Sequence, residues 1–240
     1  MNINRLRRTI VLLVLGAALG ASQAETLVVL GDHAYAPVIY SQNGKPAGLL
    51  PAILERASAL TGDHYDLRLS PWKRAYELAA RGEGEVVGVS FNQERARQFD
   101  FSKPIYDDDI HIVTLKTKTI GGISGASYGD EVDAAIASGV FAVDRDVGQA
   151  GRRRKLLAGR LDAAFIGNGL AGFDGVVSSE DELRNNRAQF VVLPTPLTHD
   201  PLHLAFPKSM NKRDALNRFD AALEKMRQSG EWKNLARTGK

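Results

Sequence analysis

The sequence predicts an α/β protein of two lobes, each an open sheet flanked by helices. Strand-length apolar runs alternate with helix-spaced ones between residues 26 and 89, and the alternation restarts after Asp107-Asp108-Asp109. No stretch between the two halves is rich enough in Gly, Ser or Pro to separate independently tumbling domains, so the lobes share a hinge. No internal repeat or low-complexity segment is visible.

Thr26-Leu27-Val28-Val29-Leu30 is a short, partly β-branched strand that stops at Gly31-Asp32, and residues 49–60 carry apolar side chains at helical spacing before Thr61-Gly62. Tyr65-Asp66-Leu67-Arg68-Leu69 alternates as a strand does. Ser70-Pro71 opens the next helix as a capping residue followed by proline at the first position, with Trp72, Ala75, Tyr76 and Ala79 as its apolar stripe. Gly82 and Gly84 end that helix, and Val86-Val87-Gly88-Val89 is a third strand, giving two successive β-α-β units.

In the second half, residues 110–115 form a strand and residues 131–137 a helix, with Gly121-Gly122-Ile123-Ser124-Gly125 as the turn between them. Residues 141–143 and 163–166 are short strands separated by a basic helix. Arg152-Arg153-Arg154-Lys155 precedes Leu156, Leu157 and Leu161, whose spacing suits an inward helix face, so the basic run reads as the solvated surface. After Pro194, Pro196 and Pro201, residues 202–206 are a strand. A long amphipathic helix follows, with Leu216, Phe219, Leu223 and Met226 inward and Gly230 as its stop.

Arg5, Arg7 and Arg8 precede an apolar run over 10–21 and then Ser22-Gln23-Ala24, the pattern of a secretory signal peptide spanning 1–24. The run is too short for the ~30 Å hydrocarbon core, which needs about twenty residues. Those three arginines are the only charges in the leader. Without them the 31 Lys and Arg fall level with the 28 Asp and Glu, so basicity gives no argument for nucleic acid. With no cysteine, the chain has neither a disulfide framework nor a lipid-bearing cysteine. These features predict a periplasmic product, free of the membrane once the leader is cut.

Several blocks resemble those of periplasmic solute-binding proteins of the polar amino acid type, the bacterial extracellular solute-binding proteins of family 3. They are Gly31-Asp32-His33-Ala34-Tyr35-Ala36-Pro37 with Asn43-Gly44-Lys45-Pro46-Ala47-Gly48, Ser90-Phe91-Asn92-Gln93-Glu94-Arg95, Phe101-Ser102-Lys103-Pro104-Ile105-Tyr106, Leu157-Ala158-Gly159-Arg160-Leu161-Asp162-Ala163, and the Gly230-Glu231-Trp232 ending. They lie in family order over nearly the whole exported chain. The resemblance implies a type II periplasmic binding protein fold, with two lobes joined by two crossovers and a ligand held in the cleft between them. One lobe is then residues 25–108 and 201–240, the other 109–200.

Open α/β sheets bind ligands at the carboxyl ends of their strands, which is where Asp32, Tyr35 and Ser90 fall. The resemblance makes Arg95 the clamp on a ligand carboxylate, a task suited to the two-pronged guanidinium, with Ser90 bonding the same group. It makes Tyr35 the aromatic lid. Asp32 is either a contact to a ligand amine or a turn residue bonding its own backbone. Trp72 resembles a block found in one branch of the family, although its place on an apolar stripe also suits core packing. Ser127 and Tyr128 close the far wall at a helix start, where free N–H groups favour an anion. Arg97 matches no motif and reads as surface.

One departure stands out, because Gly167 occupies the place of the aspartate that usually holds an α-ammonium, and Asn168 brings no charge. Either another acid such as Asp32 supplies it, or the ligand is not a standard α-amino acid and small carboxylates without an amino group bind at least as well.

His33, His64, His111, His199 and His203 have no metal-ligand spacing, and no nucleophile elbow or phosphate loop appears, so no metal, cofactor or catalytic residue is expected. The Asp107 to Asp109 run falls at the hinge. The reading is a monomeric binder of a small polar carboxylate-bearing solute, amino acid or related, that closes on it and delivers it to an ABC-type importer. Two alternatives share the architecture: a cyclohexadienyl or arogenate dehydratase, and a sensory partner of a membrane receptor. The exported form is expected to begin at Glu25 and to be recovered without detergent; an intact mass that still includes residues 1–24 would refute this.

Overall fold

A computed structural model describes residues 24–114, 119–146 and 148–238. Apart from Ala24, the signal segment lies outside the described residues.

The first lobe is built on β1 (Thr26–Asp32), which pairs in parallel with β5 (His64–Ser70) on one side and β6 (Glu85–Ser90) on the other. A small antiparallel sheet of β2 (Ala34–Tyr35), β3 (Ile39–Gln42) and β4 (Lys45–Ala47) leads to α1 (Leu49–Thr61). Leu49, Leu50, Ile53, Leu54 and Ala57 form its buried face, spaced for one side of a helix. A Cβ at Gly48 (φ +109°) would sit 2.6 Å from the Pro37 carbonyl oxygen, so only glycine fits at the entry to α1. Helix α2 (Trp72–Ala80) covers the other face of the sheet, and the short α3 (Gln93–Gln98) leads into β7 (Phe99–Phe101). Pro71 is the cap of α2 rather than its first residue, and no side chain caps that end.

Two long strands carry the chain between lobes, β8 (Tyr106–Thr114) outward and β13 (Thr198–Pro207) back. They pair antiparallel, with Tyr106 opposite Leu202 and Asp108 opposite Asp200. The second lobe adds β9 (Thr119–Ile123), α4 (Asp130–Ala137), β10 (Ala142–Asp146), α5 (Gln149–Leu157), β11 (Ala163–Ile166), α6 (Gly169–Ser178), α7 (Asp181–Asn185) and β12 (Val191–Val192). The sheet order is β10-β9-β11-β8-β13-β6-β1-β5. Thus Gly121 and Gly122, read from the sequence as a turn, lie inside β9, where Gly121 lets Leu161 and Arg152 pack against the backbone.

Each lobe has its own core. In the first, Leu27, Val29, Ile53 and Leu204 pack with α8 (Arg213–Gln228), whose Leu216, Phe219, Leu223 and Met226 point inward as the sequence predicts. The second gathers Val113, Leu156, Phe173 and Phe190. The C-terminal α9 (Glu231–Thr238) closes the first lobe, its Trp232 Nε1 donating to the Ile105 carbonyl at 2.9 Å.

Helix α5 overturns the sequence reading of the basic run. Gln149, Arg152, Arg153 and Leu156 form its buried face at i, i+3, i+4, i+7, while Arg154 and Lys155 face outward. Arg152 and Arg153 are each 1% exposed. Arg153 is held by the Gln149 carbonyl and side chain at 2.8 and 3.0 Å, and burial lowers its pKa to about 9.

A partly buried ion group joins the start of the first strand to α8. Arg218 donates to both oxygens of buried Asp63 at 2.8 and 3.0 Å and to Glu25 at 3.0 Å, and the Glu25 backbone N–H also reaches Asp63 at 2.9 Å. Arg218→Met leaves the Asp63 carboxylate buried without its two-pronged partner, and should lower the unfolding free energy by about 3 kcal/mol in urea titration. A change under about 0.5 kcal/mol, the usual range for a surface substitution, would show that the pair contributes nothing.

Candidate ligand-binding cleft

Parallel strands β1 and β6 end side by side, bringing Asp32 and Ser90 to one edge of the first lobe. Tyr35 follows on β2, and Trp72 starts α2. Facing them are Ser127 and Tyr128, before α4, with Arg152 on α5 and Gly167 after β11. Asp108 and Asp200 enter from the crossover strands. All of these line one cavity of about 60 Å³ between the lobes. Sites for drug-sized ligands run to roughly 300–1,000 Å³, so the lobes lie close together across a space suited at most to a small solute.

Of the residues singled out in the sequence, Asp32, Tyr35, Trp72, Ser90, Ser127 and Tyr128 therefore come together. Arg95 does not join them. Its guanidinium donates to the Ser90 carbonyl at 2.9 Å and the Gly125 carbonyl at 3.0 Å, and lies 4.8 Å from the Tyr76 ring centre. Since Ser90 is on the first lobe and Gly125 on the second, Arg95 bridges the closed cleft at its rim. Asn92 reinforces this, accepting from the Arg95 backbone N–H at 2.8 Å and donating to Ser127 Oγ at 3.2 Å. Arg97 is exposed, as read.

Two of the N–H groups before α4, read as an anion seat, are already engaged, those of Tyr128 and Gly129. Asp133 accepts from Tyr128 N at 3.0 Å and Ser127 Oγ at 2.5 Å, while Gly129 N donates to Ser127 Oγ at 3.3 Å. The Tyr128 hydroxyl accepts from Ile123 N at 2.7 Å, and its ring packs on Phe165 at 4.4 Å. Trp72 serves both roles weighed for it. It belongs to the first lobe's core and lines the cavity, with its indole N–H unpartnered among the described residues.

The acids were the part missed. Asp108 fills the space beside Gly167: a Cβ at 167 would fall 1.6 Å from the Tyr35 hydroxyl and 2.5 Å from Asp108 Oδ2. The carboxyl group that the sequence lacks at 167 is thus supplied in space from β8. Tyr35 donates its hydroxyl to Asp108, as does Asn168 N at 2.5 Å. Opposite it, Asp200 accepts from Ser90 Oγ at 2.6 Å. Burial pushes Asp108 up to about 7, and the nearby Asp200 adds to the shift against the opposing hydrogen bonds. Burial likewise raises Asp200 to about 7, opposed by Ser90 and Arg95. Asp32 is also raised by burial, while its Oδ1 accepts from Ala34 N at 3.1 Å, so the turn role holds together with the cavity position.

A signal for Asp108 lay in the two-residue period of a strand: beside inward Ile110, it faces in while Asp107 and Asp109 face away. Asp200 had no local signal, since its place depends on register across 92 positions. Among the described residues no group of His, Cys, Asp and Glu could hold a metal, and no helix is long and apolar enough to cross a membrane.

The family model for bacterial extracellular solute-binding proteins, family 3, matches residues 27–238. Solved structures share the fold. A histidine kinase sensor domain with similarity to periplasmic binding proteins is 23% identical, with a TM-score of 0.74 over 88% of this chain and 93% of the other. The arginine-, lysine-, histidine-binding protein ArtJ from Geobacillus stearothermophilus is 23% identical with a TM-score of 0.72, over 90% and 96%. The ancestral amino acid-binding protein AncCDT-1, a precursor of cyclohexadienyl dehydratase, is 20% identical with a TM-score of 0.69, over 88% and 93%. None of the curated proteins compared with the chain matches it significantly.

An ordinary aspartate ionises near pH 4, so between about pH 4 and 7 the folded chain binds more protons at Asp108 and Asp200 than the unfolded chain does. Stability of the unliganded protein should therefore fall as pH rises through that window, with the full penalty above it. Asp200→Asn, whose amide can still bond Ser90, should flatten the fall by roughly 2–4 kcal/mol in urea titrations at pH 4.5 and 7.5. An unchanged slope would show that Asp200 is ionised throughout.

Proposed function

Because this chain belongs to the bacterial extracellular solute-binding proteins of family 3, we propose that it binds a small polar solute bearing a carboxylate, an amino acid or a relative, by closing its lobes over it in the periplasm for delivery to an ABC-type importer. The observation that carries this reading is the mixed origin of the cavity wall. Asp32, Tyr35 and Ser90 come from one lobe, Ser127, Tyr128 and Arg152 from the other, and Asp108 and Asp200 from the strands between. A ligand bonding to groups on both lobes makes those contacts only when the lobes are shut, so its binding energy selects the closed state. That closed form is what a permease would recognise.

Asp108 and Asp200 bear on the choice left open at Gly167. A site with this pair and Asp32 favours an amine, because an ammonium facing two partly protonated carboxyl groups restores the charge that burial discourages. The ligand would then carry an amino group despite Gly167. Arg95 would act as a latch across the rim, holding the Ser90 and Gly125 carbonyls together.

A dehydratase reading has one observation in its favour: a buried carboxyl group with a pKa near 7 is suited to general-acid chemistry, and two line the cavity. The two readings part on turnover. Under the binding reading, prephenate and arogenate are left unconverted, and aromatic product that scales with protein and is lost in Asp108→Asn would move the chain to the enzymes.

A thermal-shift panel of the twenty standard L-amino acids and small carboxylates is expected to yield a stabilising ligand, since a hundredfold excess over Kd adds about 2.7 kcal/mol. Arg95→Ala should weaken that ligand about tenfold or more in calorimetric titration without reordering the panel, as expected of a latch. A clamp on the ligand itself would reorder it in favour of compounds lacking a carboxylate.

A further inference from the structure

We infer that Arg152, on the second lobe, is the residue that receives the ligand's anionic group; this rests on the proposed function and assigns one pole of its ligand. Arg152 is 1% exposed and lines the cavity. Its stem lies over Gly121, where a Cβ would come within 3.3 Å of both Cγ and Cδ, so the strand is cleared of side chain where the arginine passes. One guanidinium nitrogen is fixed, Nη1 donating to the Phe165 carbonyl at 2.9 Å. Asp146 Oδ1 lies 3.4 Å from Nε and balances the charge without forming a hydrogen bond. Nη2 has no partner among the described residues.

A guanidinium donor buried without an acceptor is costly, and native chains rarely leave one so. Here the fork is positioned by its other nitrogen and its free edge belongs to a residue of the cavity wall. The remaining wall sorts the ligand's charges. Asp32, Asp108 and Asp200 repel an anion, and the hydroxyls of Ser90 and Tyr35 already donate to Asp200 and Asp108. The Tyr128 and Gly129 N–H groups before α4 are engaged by Asp133 and Ser127. Arg95 has both terminal nitrogens on backbone carbonyls. Among the described residues, the other buried side-chain donor on the wall without a partner is the Trp72 indole N–H, itself suited to an acceptor oxygen. A carboxylate seated on Nη2 would accept a charge-assisted bond from a group that is already desolvated and held in place.

The test compares each of the twenty standard L-amino acids with the amine that lacks its α-carboxylate, by thermal shift and then calorimetric titration, using the full exported chain. In the parent, the best amino acid should bind at least thirtyfold tighter than its amine. In Arg152→Met, which keeps bulk along the stem and removes the fork, the two should bind within threefold of each other, because only the carboxylate has lost its partner. Arg152→Lys should fall between, retaining charge without the second prong. A residue that merely supports the fold would weaken acid and amine alike and leave the thirtyfold preference standing, and that outcome overturns the assignment. If Arg152→Met does not fold, Arg152→Lys decides: a preference cut at least threefold supports the anchor, and an unchanged one overturns it. A parent that responds neither to these amino acids nor to the small carboxylates of the thermal-shift panel overturns the proposed function and the anchor with it, whereas a responsive parent with an unaltered preference in the variants overturns the anchor alone.

Discussion

The antiparallel pairing of β8 with β13 is the constraint on which the rest of the molecule depends. These strands belong to both lobes, and their register sets Asp108 opposite Asp200. Like charges directly opposite on one face of a sheet destabilise it, and this pair is also cut off from water. The fold tolerates them through Tyr35, Asn168 and Ser90, each of which donates a hydrogen bond to one of the two carboxyl groups. Tyr35 and Ser90 come from the first lobe and Asn168 from the second, so both lobes supply donors to the acids that lie between them.

The two buried arginines of α5 extend this arrangement into the second lobe. A helix face of glutamine, two arginines and leucine buries little apolar area, and its place in the core depends on hydrogen bonds to the Phe165 and Gln149 carbonyls and on the Phe173 ring beneath Arg153. Such a face gives up hydrophobic stabilisation, at about 25 cal/mol per Å² of apolar area, in return for fixed positive charge beside the cleft. Proteins commonly hold stability below its maximum where a site requires it.

Much of the fold was legible because it follows from periodicity. The parallel core of the first lobe, α1 with its Gly62 stop and the inward face of α8 are written in spacings of two and of three to four. The ligand-side residues at the ends of β1 and β6 followed from the same geometry. Reading failed where polarity and burial part company. A pattern method sees arginine and assigns it to solvent, so Arg152 and Arg153 were placed on the wrong face although their spacing with Gln149 and Leu156 is that of a buried one. Asp200 and the occupied space at Gly167 are facts of long-range register and volume, which no local window contains. Arg95 illustrates another limit: a motif locates a residue, yet the direction of a long side chain depends on which carbonyls lie within reach.

Gly167 has a consequence for how such a site can change over generations. Positions 35, 108 and 167 share one volume although far apart in the chain, so a change at one bears on the other two. Placing an acid at 167 while Asp108 and Tyr35 remain requires their side chains to move, since the new Cβ alone would overlap the tyrosine hydroxyl. Removing Asp108 first still leaves the Tyr35 hydroxyl in the way, and leaves the cleft short of a carboxyl group until further changes arrive. An acid on the crossover strand and an acid after β11 are therefore alternative ways of furnishing the same cleft, and passing from one to the other takes coordinated change at residues 35, 108 and 167.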